Sequence, residues 1–441
     1  MSRLINSALF RCGSKLIQKA IRDNWKVTTT GGLYTTATVQ QTEDLASLPF
    51  PNIRTKWTEK LEMFNTDNYD PLPVYRVLSP DGTVIDLAHE PKIPDSKLVK
   101  MFEGMLTLNV MDHILYESQR QGRISFYITS FGEEATHFGS AAALESNDVV
   151  FGQYRETGVL MWRDFGLTNI INQCYGNQND VGKGRQMPCH YGSKEKAFVT
   201  ISSPLSTQMP QAVGSAYALK RAKQSNVVIC YFGDGAASEG DAHAALNFSA
   251  TLKVPVIFFC RNNGYAISTP TNEQYRGDGV GARGPAYGIG TIRCDGNDIL
   301  AVYNATTKAR EYCLSKNAPV LIEAMTYRLG HHSTSDDSTI YRNLAEVKIW
   351  EEQAHPLLRF RKYLTAKGLW SDEKETEFRE SIKKEILTNF QEGERVKKPS
   401  VDFMFTDVYE EIPAHLQVQR DELREHLKEY GKYYPVEQFQ D

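Results

Sequence analysis

The 441 residues exceed a usual single domain and leave room for one large core with arms or a helical annex. A hydrophobic share of 41% beside 24% charged residues is that of a globular chain and excludes disorder or a fibre. The net charge of −4 divides unevenly, +5 over residues 1–40 and −9 over residues 41–441, which argues against nucleic acid or an anionic membrane as the partner of the main body.

In the first 40 residues Arg3, Arg11, Lys15, Lys19, Arg22 and Lys26 oppose one acid, Asp23, while Leu4, Ile5, Leu9, Leu16, Ile17 and Ile21 recur at near-helical spacing. This basic, amphipathic, Ser- and Thr-rich pattern predicts a mitochondrial transit peptide over residues 1–40, hence a matrix protein. Residues 41–95, rich in Pro, Asn, Asp and Thr, read as an extended arm. Leu98, Met101, Met105, Leu108 and Met111 then mark a helix over Asp95–Gly122.

Strand-like and helix-like segments alternate from there to about residue 330. Helices are expected at Gly132–Leu144, Gln208–Lys223, Ala236–Leu252 and Ile299–Ser315, and strands at Asp148–Phe151, Phe198–Ile201, Val227–Phe232, Val256–Cys260 and Val320–Tyr327. Such alternation predicts an α/β domain over residues 96–339, with a mostly parallel sheet flanked by helices and ligands at the carboxyl ends of the strands. Residues 340–441 are charged and helical, with Trp350, Leu357, Leu358, Phe360, Leu364, Phe378, Ile382, Ile386 and Phe390 on apolar faces. The longest apolar runs, Val227–Phe232 and Val254–Cys260, are too short to span a bilayer. Cys174, Cys189, Cys230, Cys260, Cys294 and Cys313 form no CxxC pair and read as reduced core thiols.

The segment Val227-Val-Ile-Cys-Tyr-Phe-Gly-Asp-Gly235 ends one buried strand in a carboxylate. The next strand ends 29 residues later in the amide of Asn263, within Arg261-Asn-Asn-Gly-Tyr265. Parallel strands joined by one helix have neighbouring carboxyl ends, so Asp234 and Asn263 can reach one ion. A diphosphate-bound Mg²⁺ takes few protein oxygens and completes its octahedron with phosphate and water. Gly233 and Gly235 permit close backbone approach, and a helix beginning near Ala236 offers free N–H groups to an anion. A second Gly-Asp-Gly at Gly277–Gly279 overlaps a GxGxxG match through Gly281 and Gly284, but follows no strand and opens no periodic helix. It reads as a mobile Gly-rich loop.

Gly-Asp-Gly, 26 residues, then Asn-Asn resembles the thiamine diphosphate signature of transketolase-like and 2-oxo-acid dehydrogenase enzymes. Tyr231-Phe-Gly-Asp-Gly-Ala-Ala-Ser-Glu-Gly-Asp-Ala-His243, Cys260-Arg-Asn-Asn-Gly-Tyr-Ala-Ile-Ser-Thr-Pro270 and His331-His-Ser-Thr-Ser-Asp-Asp-Ser338 narrow the match. From about residue 45 to the end the chain resembles the alpha subunits of mitochondrial branched-chain 2-oxo-acid dehydrogenases. The resemblance implies the thiamine-diphosphate-binding fold, with Mg²⁺ held by Asp234, Asn263 and the backbone of Tyr265, and the cofactor lined by Gln153, Tyr154, Arg155, Ser203, Gly235, Ala236, Arg261 and His332. It also implies K⁺ on Ser202, Pro204, Thr207 and Gln208, which without it read as an ordinary Ser/Thr turn. Mammalian members carry Glu where this chain has Asp234, and either acid ligates Mg²⁺.

By the same resemblance the substrates are 2-oxo acids derived from valine, leucine and isoleucine, decarboxylated before the acyl group passes to lipoyl on a transacylase core. His332 is the expected catalytic group, for hydrogen bonding near the diphosphate and for proton transfer, because imidazole titrates near working pH. A metal cluster of His331, His332, Asp336 and Asp337 is the competing reading of that segment. Only about 100 charged, helical residues follow the core, so the acid and apolar pocket for the aminopyrimidine ring are expected from a beta subunit in an alpha-two beta-two heterotetramer. Ser333 matches the family's regulatory phosphoserine, implying a kinase and a phosphatase, while Asn343 stands at a second family phosphosite. Rival readings are a pyruvate or acetoin dehydrogenase alpha subunit, and a noncatalytic regulatory subunit that binds the cofactor.

Overall fold

The computed structural model describes residues 58–65 and 69–440. The transit-peptide reading over residues 1–40 lies outside them, as does the start of the arm. The chain falls into two compact units, Met1–Phe64 and Asn65–Asp441. In the first, the described residues 58–64 carry no regular element; the second carries every helix and strand below.

Among the described residues the strands are β1 (Val149–Phe151), β2 (Phe198–Val199), β3 (Val228–Gly233), β4 (Val256–Asn262), β5 (Tyr265–Ala266), β6 (Thr269–Pro270), β7 (Gly290–Asp295) and β8 (Val320–Met325). Six form one all-parallel sheet in the order β2-β1-β3-β4-β8-β7, and β5 with β6 make a small antiparallel hairpin. The central strands β3 and β4 read as unbroken apolar runs because both their faces are covered. Alternate residues face opposite layers. Ile229, Tyr231, Ile257 and Phe259 join the core built with helices Asp95–Arg120, Glu134–Ala142 and Ile299–Lys316. Val228, Cys230, Phe232, Val256, Phe258 and Cys260 join the one built with Gln208–Arg221 and Gly240–Leu252. All six cysteines of the described residues are buried and free.

Several elements differ from the sequence reading, among them the short β5–β6 hairpin and the helices Thr271–Gln274 and Arg283–Tyr287. The expected helix Ala236–Leu252 is a short 3-10 turn, Ala236–Ser238, followed by a helix that starts only at Gly240, because Glu239 is extended with ψ 151°. The N–H groups near Ala236 therefore belong to a turn, not to a helix start. Strand β7 was not expected: its Gly-Thr-Ile-Arg-Cys-Asp sequence mixes polar and apolar residues, as an edge strand does. Helices Thr157–Trp162 and Leu167–Tyr175 were likewise missed, being too short for a clear period.

The edge of β7 is covered by the preceding segment, where Tyr75 donates to the Arg293 carbonyl at 2.9 Å and accepts from Asp295 N–H at 2.9 Å. Just beyond β7, one Asp298 oxygen accepts the N–H groups of Val77 and Leu78 (2.7 and 2.6 Å), while the other caps Leu300 and Ala301 at 3.1 Å each. After residue 340, helices Leu344–Gln353, Pro356–Ala366, Asp372–Arg395 and Ala414–Tyr430 follow. Leu357, Phe360, Leu364, Ile382, Ile386 and Phe390 are buried in the main core as their spacing predicts, whereas Leu358 is exposed. Among the described residues no helix is long and apolar enough to cross a membrane.

Candidate active site at the carboxyl ends of the central strands

The parallel register pairs Gly233 of β3 with Arg261 of β4, so the residues that follow each strand emerge side by side. Asp234 is 1% exposed and its carboxylate accepts one side-chain hydrogen bond, from the Gln274 amide at 3.0 Å. Burial, with the nearby Glu133 charge adding to it, pushes Asp234 up to about 6. A buried carboxylate so short of positive partners suits a hard divalent cation. Asn263 accepts the Tyr265 N–H on Oδ1 (3.2 Å), and the β5–β6 hairpin fixes the Tyr265 backbone. Gly235 passes so close to the hairpin that a Cβ there would stand 2.6 Å from the Ala266 Cβ.

Around this pair lies a buried ionic network. Glu133, fully buried, pairs with the Arg261 guanidinium, lies 3.6 Å from Arg155 Nε and accepts from Asn263 Nδ2 at 2.9 Å. Burial works against its charge, yet Arg261 and Arg155 hold the Glu133 carboxyl down to about 2. Glu156 accepts Arg261 Nε at 2.7 Å on one oxygen and the N–H groups of Gln153, Tyr154 and Arg155 (2.7, 3.0 and 3.0 Å) on the other. One carboxylate therefore shapes the Gln153-Tyr-Arg155 turn and anchors Arg261. Gln153 in turn accepts the Gly233 N–H at 2.8 Å. Two buried guanidiniums, each paired with protein oxygens, thus stand beside the candidate metal site, and a guanidinium is the group that forks onto phosphate oxygens.

Arg155 also reaches His332, donating to its carbonyl at 3.0 Å and lying 3.4 Å from Nδ1, while the Tyr154 ring meets the imidazole edge to face. Burial, then the charges of Arg155 and Arg328, push His332 down to about 3. Both effects oppose a charge on the imidazole. The rival metal cluster is also replaced by a structural role for its members. His331 Nδ1 accepts from Ser338 N at 3.0 Å, Asp336 accepts from His332 N and the Tyr341 hydroxyl (2.7 and 2.6 Å), and Asp337 caps the Ser338–Ile340 turn. Among the described residues no cluster of three or more His, Cys, Asp or Glu side chains is placed to hold a metal.

Ser333 lies inside the same loop. It is 7% exposed, its Oγ accepting from Ser335 N at 3.2 Å, and Thr334 pairs with Tyr127 through two hydrogen bonds.

In the Ser202–Gln208 loop, Thr207 donates to the Pro204 carbonyl at 3.0 Å and lies 3.5 Å from Ser202 Oγ. Gln208 donates to the Tyr231 carbonyl at 3.0 Å, which leaves its buried Oε1 without a hydrogen-bond partner. An orphaned buried acceptor beside hydroxyl and carbonyl oxygens fits a monovalent cation. Ser203 turns aside and shares a 2.8 Å hydrogen bond with His190 Nε2. Ala236 is buried in the turn after Gly235.

The second Gly-Asp-Gly is not a loose loop. Asp278 pairs with Arg293 at 2.8 Å and accepts the Leu72 N–H at 2.7 Å, and the buried Glu323 accepts the N–H groups of Val280 and Gly281 (2.7 and 2.9 Å). Together with Tyr275, Arg276 and Trp350, this loop lines a cleft of about 660 Å³ that reaches Asn262 and Tyr265. A larger cleft, about 810 Å³, is lined by Gln173, Met187, Phe403 and Leu427 and includes none of these site residues, so size alone does not find the site.

Residues 103–402 match the family model of the dehydrogenase E1 component, and the chain belongs to that family. It is 61% identical over 381 residues to the mitochondrial 2-oxoisovalerate dehydrogenase subunit alpha of Caenorhabditis elegans, covering 86% of this chain and 88% of the relative. The human mitochondrial 2-oxoisovalerate dehydrogenase subunit alpha is 57% identical over 401 residues, with 91% and 90% covered. Subunit alpha 2 of Arabidopsis thaliana is 48% identical over 388 residues, with 88% and 82% covered.

Proposed function

We propose that this chain is the alpha subunit of a mitochondrial branched-chain 2-oxo-acid dehydrogenase that uses thiamine diphosphate. The observation that carries the reading is the convergence of Asp234 and Asn263 with the buried Arg155 and Arg261 at adjacent strand ends. The metal would be Mg²⁺ on Asp234, Asn263 and the Tyr265 carbonyl, and K⁺ would take the orphaned Gln208 Oε1 together with Ser202, Pro204 and Thr207.

Bound thiamine diphosphate supplies the carbon nucleophile and the electron sink for decarboxylation. Arg155 and Arg261 would face its diphosphate; Glu156 holds Arg155 through the Gln153–Arg155 turn and Arg261 by a direct ion pair. Gly235 and Ala236 let the backbone approach the anion. His332, fixed by Arg155, would hydrogen-bond at the rim and serve proton transfer during acyl transfer. Tyr265 of the β5–β6 hairpin packs edge to face on Tyr327 and at a tilt on Tyr341, which fixes the hairpin beside the site.

The groups that would bind and activate the aminopyrimidine ring come from a beta subunit, giving an alpha-two beta-two heterotetramer. The acyl acceptor is lipoyl on a transacylase core. A kinase and phosphatase acting on Ser333 regulate the complex, which resides in the matrix after removal of residues 1–40. The decisive experiment assembles the chain with its beta subunit and offers a panel of 2-oxo acids. Decarboxylation of the branched-chain acids ahead of pyruvate, dependent on thiamine diphosphate and Mg²⁺, is expected; preference for pyruvate would replace the substrate assignment.

A further inference from the structure

Glu133 has a second relation to the site, independent of its charge on the arginines. Its Oε1 lies 2.9 Å from Asn263 Nδ2, and its Oε2 is taken by Arg261. Flanked by two guanidiniums and fully buried, Glu133 is a carboxylate with lone pairs and no proton to give. Only the NH₂ side of the Asn263 amide can face it. The Tyr265 N–H, 3.2 Å from Asn263 Oδ1, enforces the same orientation from the other end of the amide and uses one of the oxygen's two lone pairs.

We propose that Glu133 is a positioning residue for the metal: it locks the Asn263 amide so that the free lone pair of Oδ1 faces the ion held with Asp234. Without Glu133 the longer Tyr265 contact alone orients the amide, and the NH₂ loses the acceptor that keeps it turned from the cation. The inference rests on the metal assignment made above. It also explains why an amide rather than a second acid stands at position 263, since a carboxylate there would face the Glu133 carboxylate at hydrogen-bonding distance.

The test exchanges the two groups. In the assembled complex with thiamine diphosphate, Mn²⁺ serves as the probe metal and free Mn²⁺ is read by electron paramagnetic resonance. Glu133→Gln should weaken Mn²⁺ binding about 10- to 100-fold, the usual range for a lost residue behind a ligand. Asn263→Asp should also weaken it, although an anionic ligand by itself favours the ion. The double variant Glu133→Gln/Asn263→Asp keeps the number of charges and lets the introduced amide donate to the introduced carboxylate, so affinity should return to within about threefold of wild type. A merely structural Glu133 predicts no such recovery. Thermal melting and gel filtration check assembly. Should Glu133→Gln fail to assemble, Asn263→Asp decides alone: weaker binding supports the lock, and tighter binding overturns it. Wild-type affinity in Glu133→Gln, or a double variant no better than that single one, also overturns it. A wild-type complex that takes up no Mn²⁺ with thiamine diphosphate overturns the metal assignment itself, and the lock with it.

Discussion

Replacing Gly235 by Ala tests the tight approach of the Asp234 turn to the β5–β6 hairpin. The backbone at Gly235 is ordinary for alanine, with φ −63° and ψ −45°, so no conformational strain enters. The cost arises from the new methyl, whose carbon would stand 2.6 Å from the Ala266 Cβ and 3.4 Å from its Cα. Carbon pairs prefer about 3.5–4.0 Å, so the hairpin must retreat by about 1 Å. Overpacking of this kind costs about 1–3 kcal/mol, equivalent to about 5- to 150-fold in affinity at 1.4 kcal/mol per decade. Because the hairpin carries the Tyr265 carbonyl and precedes Gln274, the partner of Asp234, the loss should fall on cofactor binding more than on global stability. Calorimetric titration of the assembled complex with thiamine diphosphate at fixed Mg²⁺ measures it, with the urea midpoint as control. The double variant Gly235→Ala/Ala266→Gly removes the clash and should recover most of the affinity. Undiminished binding in the single variant, or a double variant as weak as the single, would refute the reasoning.

Three further outcomes are expected. Burial raises Glu134 from 4.5 to about 8, so the folded state keeps a proton that the unfolded state releases. That stabilisation is complete below about 4.5 and is lost as pH rises through 8. Glu134→Gln should therefore lose less urea stability than wild type between pH 5 and pH 8, and an equal loss would remove Glu134 as the cause. Kinase treatment should inactivate wild type and spare Ser333→Ala, since phosphate adds about −1.5 to −2 charges within a closed loop beside Asp336; equal inactivation shows that another residue is the switch. Isolated alpha chain supplied with thiamine diphosphate and Mg²⁺ should decarboxylate nothing, and steady turnover by a verified single chain would end the shared-site proposal.

The parts of the site that sequence made legible are those carried by strand ends. Val227–Phe232 and Val254–Cys260 are apolar enough to be buried strands only, so the acid and amide that follow them had to emerge near one another. Glu133 and Glu156 were invisible by the same logic. Each precedes a short helix, where an acid is ordinarily a solvated residue favoured by the helix dipole, and nothing local marks it as buried. Their burial is decided by Arg261, 128 and 105 residues further along. The pattern Arg-Glu at 155–156 and Glu-Glu at 133–134, adjoining apolar or small residues, is the only local trace. The downward shift of His332 was equally out of reach, since it depends on burial and then on Arg155 and Arg328 closing around a ring that, in sequence, neighbours acids at Asp336 and Asp337.

Asp298, whose carboxylate binds Val77, Leu78 and the start of the Ile299–Lys316 helix, sets an order on folding. The segment synthesised first is fastened by a residue made 221 and 220 positions later. Closing so long a loop follows assembly of the local contacts, so docking of the 75–78 segment belongs among the last steps. Until then Val77 and Leu78, 1% and 0% exposed in the finished fold, stand in water, and the unpaired edge of β7 stands open beside them. A nascent chain with a bare strand edge and loose apolar residues is a client for chaperones and a candidate for edge-to-edge aggregation.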